Sequence, residues 1–317
     1  MKNTPRSRRL RAISLIAVVG VLVLASCSDN KSDGDSSSTT KPSGATAEKI
    51  RISSQDFSEQ KTLAQVYGQY LKAQGFDVDI QKPIGTRDQI YAALEADKLD
   101  LQLDYSGSAV TFLEGTDVKT SQATSDADAT FAALQTLLKP KDLQASDQSE
   151  AADANALVAL KSWADKNGVT KISDLSGVDG TITLGGAAEC ATRPDCLLGY
   201  KDKYGLDLKF KAVDYGPPLV AALQADEIQV AQYGSTAPEI ATGKIVELKD
   251  DKGLQSAQNV VPVFRTAVAS DALTKALNTI SAKITTADLA AWNQATDVEK
   301  EEPADVASKW LSDNGFS

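Results

Sequence analysis

Two spacings of hydrophobic residues alternate along the chain, and they predict strands and helices in turn. Apolar residues occupy every second position in three short segments, at residues 49–53, 76–80 and 99–105. This spacing is typical of strands. Between the first two segments, apolar side chains from Leu63 to Leu71 fall on one face of a helix that Gly75 ends, and a second helix follows Thr86. The order strand, helix, strand, helix, strand predicts a parallel sheet with helices on its faces.

A second unit of the same kind is predicted between residues 155 and 248. Its strands are expected near residues 181–184, 208–213, 228–233 and 245–248. After residues 259–264 the chain is expected to end in helices, including one at residues 304–311. The roughly 270 residues from Glu48 onward suit two lobes better than one small core.

The first 26 residues have the pattern of an export signal, with five basic residues followed by an uncharged, mostly apolar stretch at residues 12–25. The junction Leu24-Ala25-Ser26-Cys27 resembles the lipobox of bacterial lipoproteins. This resemblance implies cleavage before Cys27, a diacylglyceryl thioether on its sulfur, and a mature protein held on the extracytoplasmic face of the cell membrane.

Other interpretations of the N-terminus are a short membrane anchor or an ordinary cleaved signal. A membrane-spanning helix needs about 20 apolar residues, more than this stretch provides. Arg8-Arg9 leaves export by the general or the twin-arginine route open, although the residues that follow fit the second route poorly. Residues 27–47 are rich in Ser and Asp and predict a flexible tether.

Composition excludes several kinds of chemistry. The chain has no histidine and three cysteines, so catalysis by Ser-His-Asp or Cys-His groups and metal sites built from histidine or several cysteines are not available. No phosphate-binding glycine loop is present. With 43 acidic and 33 basic residues, the chain is a poor partner for nucleic acid. We therefore expect a protein that is not an enzyme and has no cofactor and no metal.

Cys190 and Cys196 are six residues apart, and outside the cytoplasm they are predicted to form a disulfide. The alternative, half of a metal site, lacks further soft ligands. A disulfide across so short a loop would mainly fix the turn that carries Arg193.

A set of short motifs carries a family resemblance. They are residues 53–60, 85–86, 93–100, 104–107, 172–175 and 203–206. In order and spacing the chain resembles the osmoprotectant-binding proteins, which are the substrate-binding subunits of glycine betaine, carnitine and choline ABC transporters. Residues 190–196 and 309–316 look most like the actinobacterial branch. The resemblance implies a two-lobed α/β fold of the type II periplasmic-binding-protein kind, each lobe a mainly parallel sheet flanked by helices, with two crossover strands near residues 151–159 and 259–264.

The resemblance also implies an organisation and partners. Lobe 1 is expected at residues 48–152 plus 260–317 and lobe 2 at residues 153–259. A monomer would capture a quaternary-ammonium ligand and deliver it to an ABC permease and ATPase. Two alternatives stay open: a binding lipoprotein for a different small zwitterion, such as an aromatic betaine, and a sensor or receptor lipoprotein without a transport role.

Ligand chemistry decides which residues matter. A trimethylammonium group offers no hydrogen-bond donor and is held by aromatic faces, whereas a carboxylate is held by guanidinium, hydroxyl or amide groups. By resemblance, Tyr105 and Tyr233 are the predicted ring positions, with Ser106 and Gly107 lining the floor. The predicted carboxylate side consists of Gln55, Thr86 and Arg193.

The chain departs from the family at two predicted cage positions. Asn155 stands where relatives often carry a tyrosine, and Leu219-Val220 stands where another aromatic residue is common. Tyr215 is close enough in sequence to replace the second. Each choice has a plainer interpretation: the tyrosines as rim residues, Thr86 as a helix cap, and Arg193 as a surface residue.

Overall fold

The computed structural model describes residues 49–115 and 120–316, which belong to one compact unit. In this part of the chain, none of the helices has the length and apolar character needed to cross a membrane. The export signal, Cys27 and the tether predicted from the sequence lie outside the described residues.

Ten strands and eleven α-helices alternate along the described residues. The strands are β1 (Ile50–Ile52), β2 (Val78–Ile80), β3 (Leu101–Tyr105), β4 (Leu143–Ala145), β5 (Asn155–Leu160), β6 (Thr183–Gly186), β7 (Lys209–Ala212), β8 (Val230–Gly234), β9 (Ile245–Leu248) and β10 (Val260–Arg265). The helices are α1 (Ser58–Ala73), α2 (Arg87–Glu95), α3 (Ser106–Glu114), α4 (Ala127–Leu138), α5 (Lys161–Asn167), α6 (Leu197–Tyr204), α7 (Pro217–Gln224), α8 (Pro238–Ala241), α9 (Asp271–Ser281), α10 (Thr286–Asn293) and α11 (Pro303–Asp313).

The strands form two five-stranded sheets with the same internal pattern. The first has the order β2-β1-β3-β10-β4 and the second the order β7-β6-β8-β5-β9. In each sheet the first three strands are parallel, and the strand that follows a crossover, β10 or β5, lies antiparallel to both of its neighbours. Four of the five strands in each sheet therefore run in the same direction, as predicted for a mainly parallel sheet, and the one antiparallel crossover strand makes the sheet mixed.

The predicted succession β1, α1, β2, α2, β3 is confirmed, with its three strands parallel. Strand β9 has the predicted bounds, and α11 extends the predicted final helix by one residue at its start and two at its end. Helix α1 begins at Ser58 and contains the predicted apolar face from Leu63 to Leu71. Gly75 follows its end with φ +91°, a conformation that favours glycine.

The two connections between the sheets lie side by side. Ala152 and Asn259 form an isolated antiparallel bridge, and the N–H of Asp153 donates to the carbonyl of Gln258 at 3.2 Å. This pairing brings both crossovers to one place, where a small change of backbone angles would rotate one sheet relative to the other.

An apolar core covers each face of each sheet. Leu101, Leu103 and Tyr105 of β3 pack on the face that α1 and α9 to α11 cover. Tyr67 of α1 is buried in that core, as predicted, and Trp292 packs edge-on against Trp310 with ring centroids 5.4 Å apart. These cores hold the carboxyl ends of the parallel strands at the junction between the sheets, where the predicted site lies.

Candidate functional site

Tyr105, the last residue of β3, points its hydroxyl at a buried acid. The alternation of β3 turns the Tyr105 side chain towards α1, where Glu59 lies in the first helical turn. The Tyr105 hydroxyl donates to Glu59 Oε1 at 2.5 Å. Only 2% of Glu59 is exposed, so this contact places a carboxyl group inside the molecule rather than on its surface.

A chain of hydrogen bonds leads from Glu59 to the second sheet. Asn293 Nδ2, at the end of α10, donates to Glu59 Oε2 at 2.7 Å and to the carbonyl of Thr236 at 2.9 Å. The Thr236 hydroxyl, just after β8, donates to Asp153 Oδ1 at 2.9 Å. Elements of both sheets and one crossover thus meet around two acids.

Burial changes the acidity of both carboxyl groups. Desolvation, followed by the repulsion of Asp153, raises the pKa of Glu59 from 4.5 to about 7, while hydrogen bonds from Tyr105 and Asn293 act in the opposite direction. Desolvation also raises the pKa of Asp153, against a hydrogen bond from Thr236. The two acids are destabilised in their charged forms, because they lie close together away from water.

Two tyrosines of the second sheet lie beside these acids. The rings of Tyr215 and Tyr233 have centroids 4.6 Å apart and an interplanar angle of 41°. Tyr233 is buried and donates its hydroxyl to Glu239 Oε2 at 3.0 Å, whereas Tyr215 is 62% exposed. The Tyr215 hydroxyl and Asp153 Oδ1 both lie against Gly234, and desolvation of the hydroxyl together with the nearby acids raises the pKa of Tyr215 to about 12 although its ring is largely exposed.

These residues form what we call the acid–tyrosine cluster. Its members are Glu59, Tyr105, Asp153, Tyr215, Tyr233, Thr236, Glu239 and Asn293. The cluster combines ring faces with carboxyl groups, which are the two kinds of group that attract an organic cation.

Arg193 lies elsewhere, in what we call the Arg193 cleft. The cleft has a volume of about 410 Å³, and its lining includes Ser108, Thr111, Asn155, Arg193, Lys203 and Gln258. In the structure, Cys190 and Cys196 are joined by a disulfide. The Arg193 guanidinium donates to both carboxylate oxygens of Asp195, at 3.0 and 2.5 Å, and these hydrogen bonds raise the pKa of Arg193. The arginine therefore already has an anionic partner.

Tyr233 and its neighbour Gln232 contact different sets of residues. Tyr233 packs with Leu219 on the face that α7 covers. Its neighbour Gln232 points to the other face, where it accepts a hydrogen bond from the Tyr200 hydroxyl at 2.6 Å and lies beside Cys196 of the Arg193 turn. Successive residues of a strand face opposite sides, so Gln232 and Tyr233 contact different sets of residues. Contact of Arg193 and Tyr233 with one ligand stays a prediction.

Comparison with known proteins identifies the family. A family model described as the substrate-binding domain of the ABC-type glycine betaine transport system matches residues 48–313. The chain belongs to this family of ABC-transporter binding proteins. A glycine-betaine-binding protein of Pseudomonas aeruginosa is 26% identical over 284 residues, which cover 85% of this chain and 89% of that protein.

Solved structures show the same fold. The crystal structure of a glycine betaine/carnitine/choline ABC transporter has a TM-score of 0.76 at 22% identity, covering 84% of this chain and 99% of that one. Lactococcal OpuAC, in a closed-liganded conformation complexed with glycine betaine, has a TM-score of 0.50 at 14% identity, covering 84% and 96%. The predicted family and the two-lobed α/β fold are confirmed, whereas the actinobacterial branch stays a prediction.

Gln55 and Thr86 lie beyond the carboxyl ends of β1 and β2, at the edge of the first sheet where a ligand is expected. Gln55 pairs with Gly85 in a parallel bridge, and its buried Nε2 has no hydrogen-bond partner. Thr86 is exposed and caps α2, with its hydroxyl 3.2 Å from Gln89 Oε1 and hydrogen-bonded to Asp88. The cap accounts for Thr86 without a ligand; contact of either residue with a ligand stays a prediction.

Ser106 and Gly107 hold the second crossover against α3. The Ser106 hydroxyl and the Gly107 N–H both donate to the carbonyl of Ala257, at 3.2 and 3.0 Å. A Cβ on Gly107 would lie 2.5 Å from that carbonyl oxygen, so this close approach requires glycine. Their predicted place on the floor of a ligand pocket stays a prediction.

Sequence reasoning missed several residues of the acid–tyrosine cluster. Glu59 lies inside the motif at residues 53–60, which carried the family resemblance but did not single out Glu59 as a site residue. Asp153, Thr236, Glu239 and Asn293 carried no signal, since Asn293 is 234 residues from the Glu59 that it contacts. Asn155, at the predicted place of a missing cage tyrosine, donates to Asp195 Oδ2 at 3.2 Å and lines the Arg193 cleft.

Proposed function

We propose that this chain is the substrate-binding subunit of an ABC importer and that it binds a small quaternary-ammonium compound between its two lobes. The observation that carries the proposal is the acid–tyrosine cluster, which draws ring faces from both sheets and carboxyl groups from α1 and the first crossover. A cation without hydrogen-bond donors is held by such groups. The glycine-betaine-binding relative and the family match support the same ligand class.

The lobes are proposed to be residues 48–152 plus 260–317 and residues 153–259. The division is supported by the strands, because the first sheet takes β1 to β4 and β10 and the second takes β5 to β9. The paired crossovers at Ala152 and Asn259 would be the hinge. Closure of the lobes on the ligand would give the permease a shape to recognise.

The proposed location follows from the N-terminal sequence. Leu24-Ala25-Ser26-Cys27 supports a signal peptide cleaved before Cys27 and a lipid anchor on that residue, with the folded body tethered outside the cell as a monomer beside its permease and ATPase. In that oxidising setting the Cys190–Cys196 pair would be a lasting disulfide. Metabolic labelling with a fatty-acid analogue tests the anchor: wild type should carry label and Cys27→Ser should not.

Calorimetric titration of the mature chain tests the binding function. Choline, glycine betaine and carnitine form the panel, with proline and glutamine as ligands that lack a quaternary nitrogen. We expect saturable one-to-one binding of at least one quaternary compound and none of the two controls. Binding of a control ligand with no heat from any quaternary compound would contradict the proposal.

A further inference from the structure

We propose that the two lobes rotate about Asp153 and Ser256, and that Ser235 is the positioning residue whose hydroxyl fixes the angle between the lobes. The inference rests on the proposed function, in which closure of the lobes captures the ligand, and it names the residues that control this closure. Ser235 follows β8 directly and is not a member of the acid–tyrosine cluster.

In the first crossover, the hydrogen bonds change from one lobe to the other across a single residue, Asp153. The N–H of Ala152 donates to the hydroxyl of Thr286, the first residue of α10 in the first lobe, at 3.0 Å. The N–H of Ala154 donates to the Ser235 hydroxyl at 2.9 Å, and the carbonyl of Ala154 accepts from the Ser235 N–H at 2.9 Å. Because Ala152 and Ala154 are held by different lobes, a rotation between the lobes changes the backbone angles of Asp153.

The second crossover changes lobes across Ser256 in the same way. Gln255 is held by the second lobe, since its N–H donates to Asp250 Oδ2 at 2.7 Å. Ala257 is held by the first lobe, since its N–H donates to the carbonyl of Thr124 at 2.7 Å and its carbonyl accepts from the start of α3. Each crossover therefore has one residue between an anchor to the first lobe and an anchor to the second, and these two residues define the axis of rotation.

The Ser235 hydroxyl spans the first of these two positions. Besides accepting from the N–H of Ala154, it donates to the carbonyl of Ala152 at 3.1 Å. That carbonyl and that N–H belong to the peptide groups on either side of the Asp153 Cα, so φ and ψ of Asp153 set their relative position. A rotation at Asp153 separates the two groups and breaks at least one of the bonds. Ser235 is only 6% exposed, so the break leaves a buried polar group without its partner.

The angle that Ser235 fixes is one at which the lobes touch beside the acid–tyrosine cluster. Asn293 of the first lobe donates to the carbonyl of Thr236, the residue after Ser235, at 2.9 Å. Helix α8 of the second lobe packs against α10 of the first. The Thr236 hydroxyl donates in turn to Asp153 Oδ1 at 2.9 Å. By favouring this angle before a ligand arrives, Ser235 pre-organises the arrangement in which rings of both lobes lie around the cluster.

Ser149 provides a matched control. Its hydroxyl also donates to a carbonyl, that of Ile284 at 2.9 Å, and accepts from an N–H, that of Ala151 at 3.0 Å. Ser149 is 1% exposed, and both of its partners belong to the first lobe. Ser149→Ala therefore removes the same two kinds of hydrogen bond from a buried position, without spanning Asp153 or Ser256.

Three measurements on the mature wild type, Ser235→Ala and Ser149→Ala test the inference: urea denaturation, small-angle X-ray scattering and calorimetric titration with choline chloride and glycine betaine. Both variants should lose similar stability. Only Ser235→Ala should bind the tighter of the two probes more weakly, by about five- to tenfold, because the ligand must then also hold the lobes at this angle. Ligand-free Ser235→Ala should have a larger radius of gyration than the wild type, and saturating ligand should restore the wild-type value.

If Ser235→Ala does not fold, Thr286→Val decides, because it removes the bond that holds Ala152 to the first lobe and keeps a side chain of similar shape. It should weaken the same probe and expand the ligand-free chain. Equal affinities and equal radii of gyration in the Ser235 variant and the Ser149 control overturn this inference and leave the proposed function standing. Absence of binding of any quaternary compound by the wild type overturns the proposed function, and the radii of gyration of the ligand-free proteins then decide the role of Ser235.

Discussion

The acid–tyrosine cluster and the Arg193 cleft both draw residues from the two sheets, yet they treat charge in opposite ways. In the cluster, Glu59 is buried and Asp153 half-buried, their hydrogen-bond partners are all neutral, and the pKa of each is raised. In the cleft, Arg193 is matched by Asp195 and the Lys203 ammonium binds the carbonyl of Gly253. A carboxyl group without a cationic partner, such as Glu59, can favour a cationic ligand over others. A guanidinium that already binds a carboxylate, such as that of Arg193, gains little binding energy from the carboxylate of a ligand.

The first prediction removes the unmatched charge from the free protein. Glu59→Gln should stabilise the ligand-free chain by up to about 3 kcal/mol at pH 8, since ionising a carboxyl with a raised pKa opposes folding. Between pH 4.5 and 7 the folded state of the wild type binds more protons than the unfolded state, so wild-type stability falls as pH rises through this window and stays reduced above it.

Urea denaturation of both proteins at pH 4, 6 and 8 measures the difference. The free energy of unfolding of the variant should increase relative to that of the wild type as pH rises, and at pH 4 the two values should be nearly equal. A difference in stability that does not change with pH would show that the Glu59 carboxyl is not destabilised by its surroundings.

The second prediction concerns the rings of the cluster. Tyr233→Ala should weaken choline binding by about 1–2 kcal/mol, because the cation loses a ring face. Tyr233→Phe keeps the ring and removes only the hydrogen bond to Glu239, so it should stay close to wild type. Titration of both variants, with circular dichroism as a check of folding, measures the contrast; equal losses in the two would indicate that the hydroxyl rather than the ring binds the ligand.

The third prediction disturbs the contact between α3 and the second crossover, next to Ser108 and Gln258 of the Arg193 cleft. A methyl group on Gly107 would meet the Ala257 carbonyl and Gln258 Nε2, at 2.5 and 2.9 Å, so Gly107→Ala should destabilise the chain by about 1–2 kcal/mol. Gly177→Ala, where a Cβ meets nothing within 4 Å, is the matched control and should be nearly neutral. Thermal unfolding compares the two, and choline affinity should stay unchanged in both; a large loss of affinity in Gly107→Ala alone would place the ligand at the cleft.

Much of the fold was accessible from local pattern, and part of the site was not. Strand β9 and helix α11 were predicted to within two residues because apolar spacing alone defines them. Helix α3 gave no separate signal, since it follows β3 directly without a turn. Tyr105 and Tyr233 could be named from the family resemblance, whereas Asn293 enters the cluster only through tertiary packing.

Arg193 and Tyr233 show what motif reasoning leaves open. The family resemblance implies that both residues contact one ligand, and that stays a prediction. The side to which each side chain points depends on register, and a shift of one residue moves a side chain to the other face of the sheet. Gln232 and Tyr233 illustrate this directly, since they are adjacent in sequence and serve different regions.

The last prediction asks whether the two regions act on one ligand. Arg193→Ala removes a half-exposed ion pair with Asp195, so we expect a stability change below about 1 kcal/mol and no measurable change in choline affinity. Asp195→Asn is the companion variant, because it leaves the guanidinium free to take a ligand carboxylate. If the regions are independent, neither variant alters the ratio of choline to glycine betaine affinity in calorimetric titrations. If lobe closure instead brings Arg193 to the far end of a ligand held by Tyr105 and Tyr233, Arg193→Ala weakens glycine betaine and spares choline, while Asp195→Asn strengthens glycine betaine. That pattern would show that the acid–tyrosine cluster and the Arg193 cleft bind opposite ends of one zwitterion, and that Arg193 exchanges Asp195 for the carboxylate of the ligand.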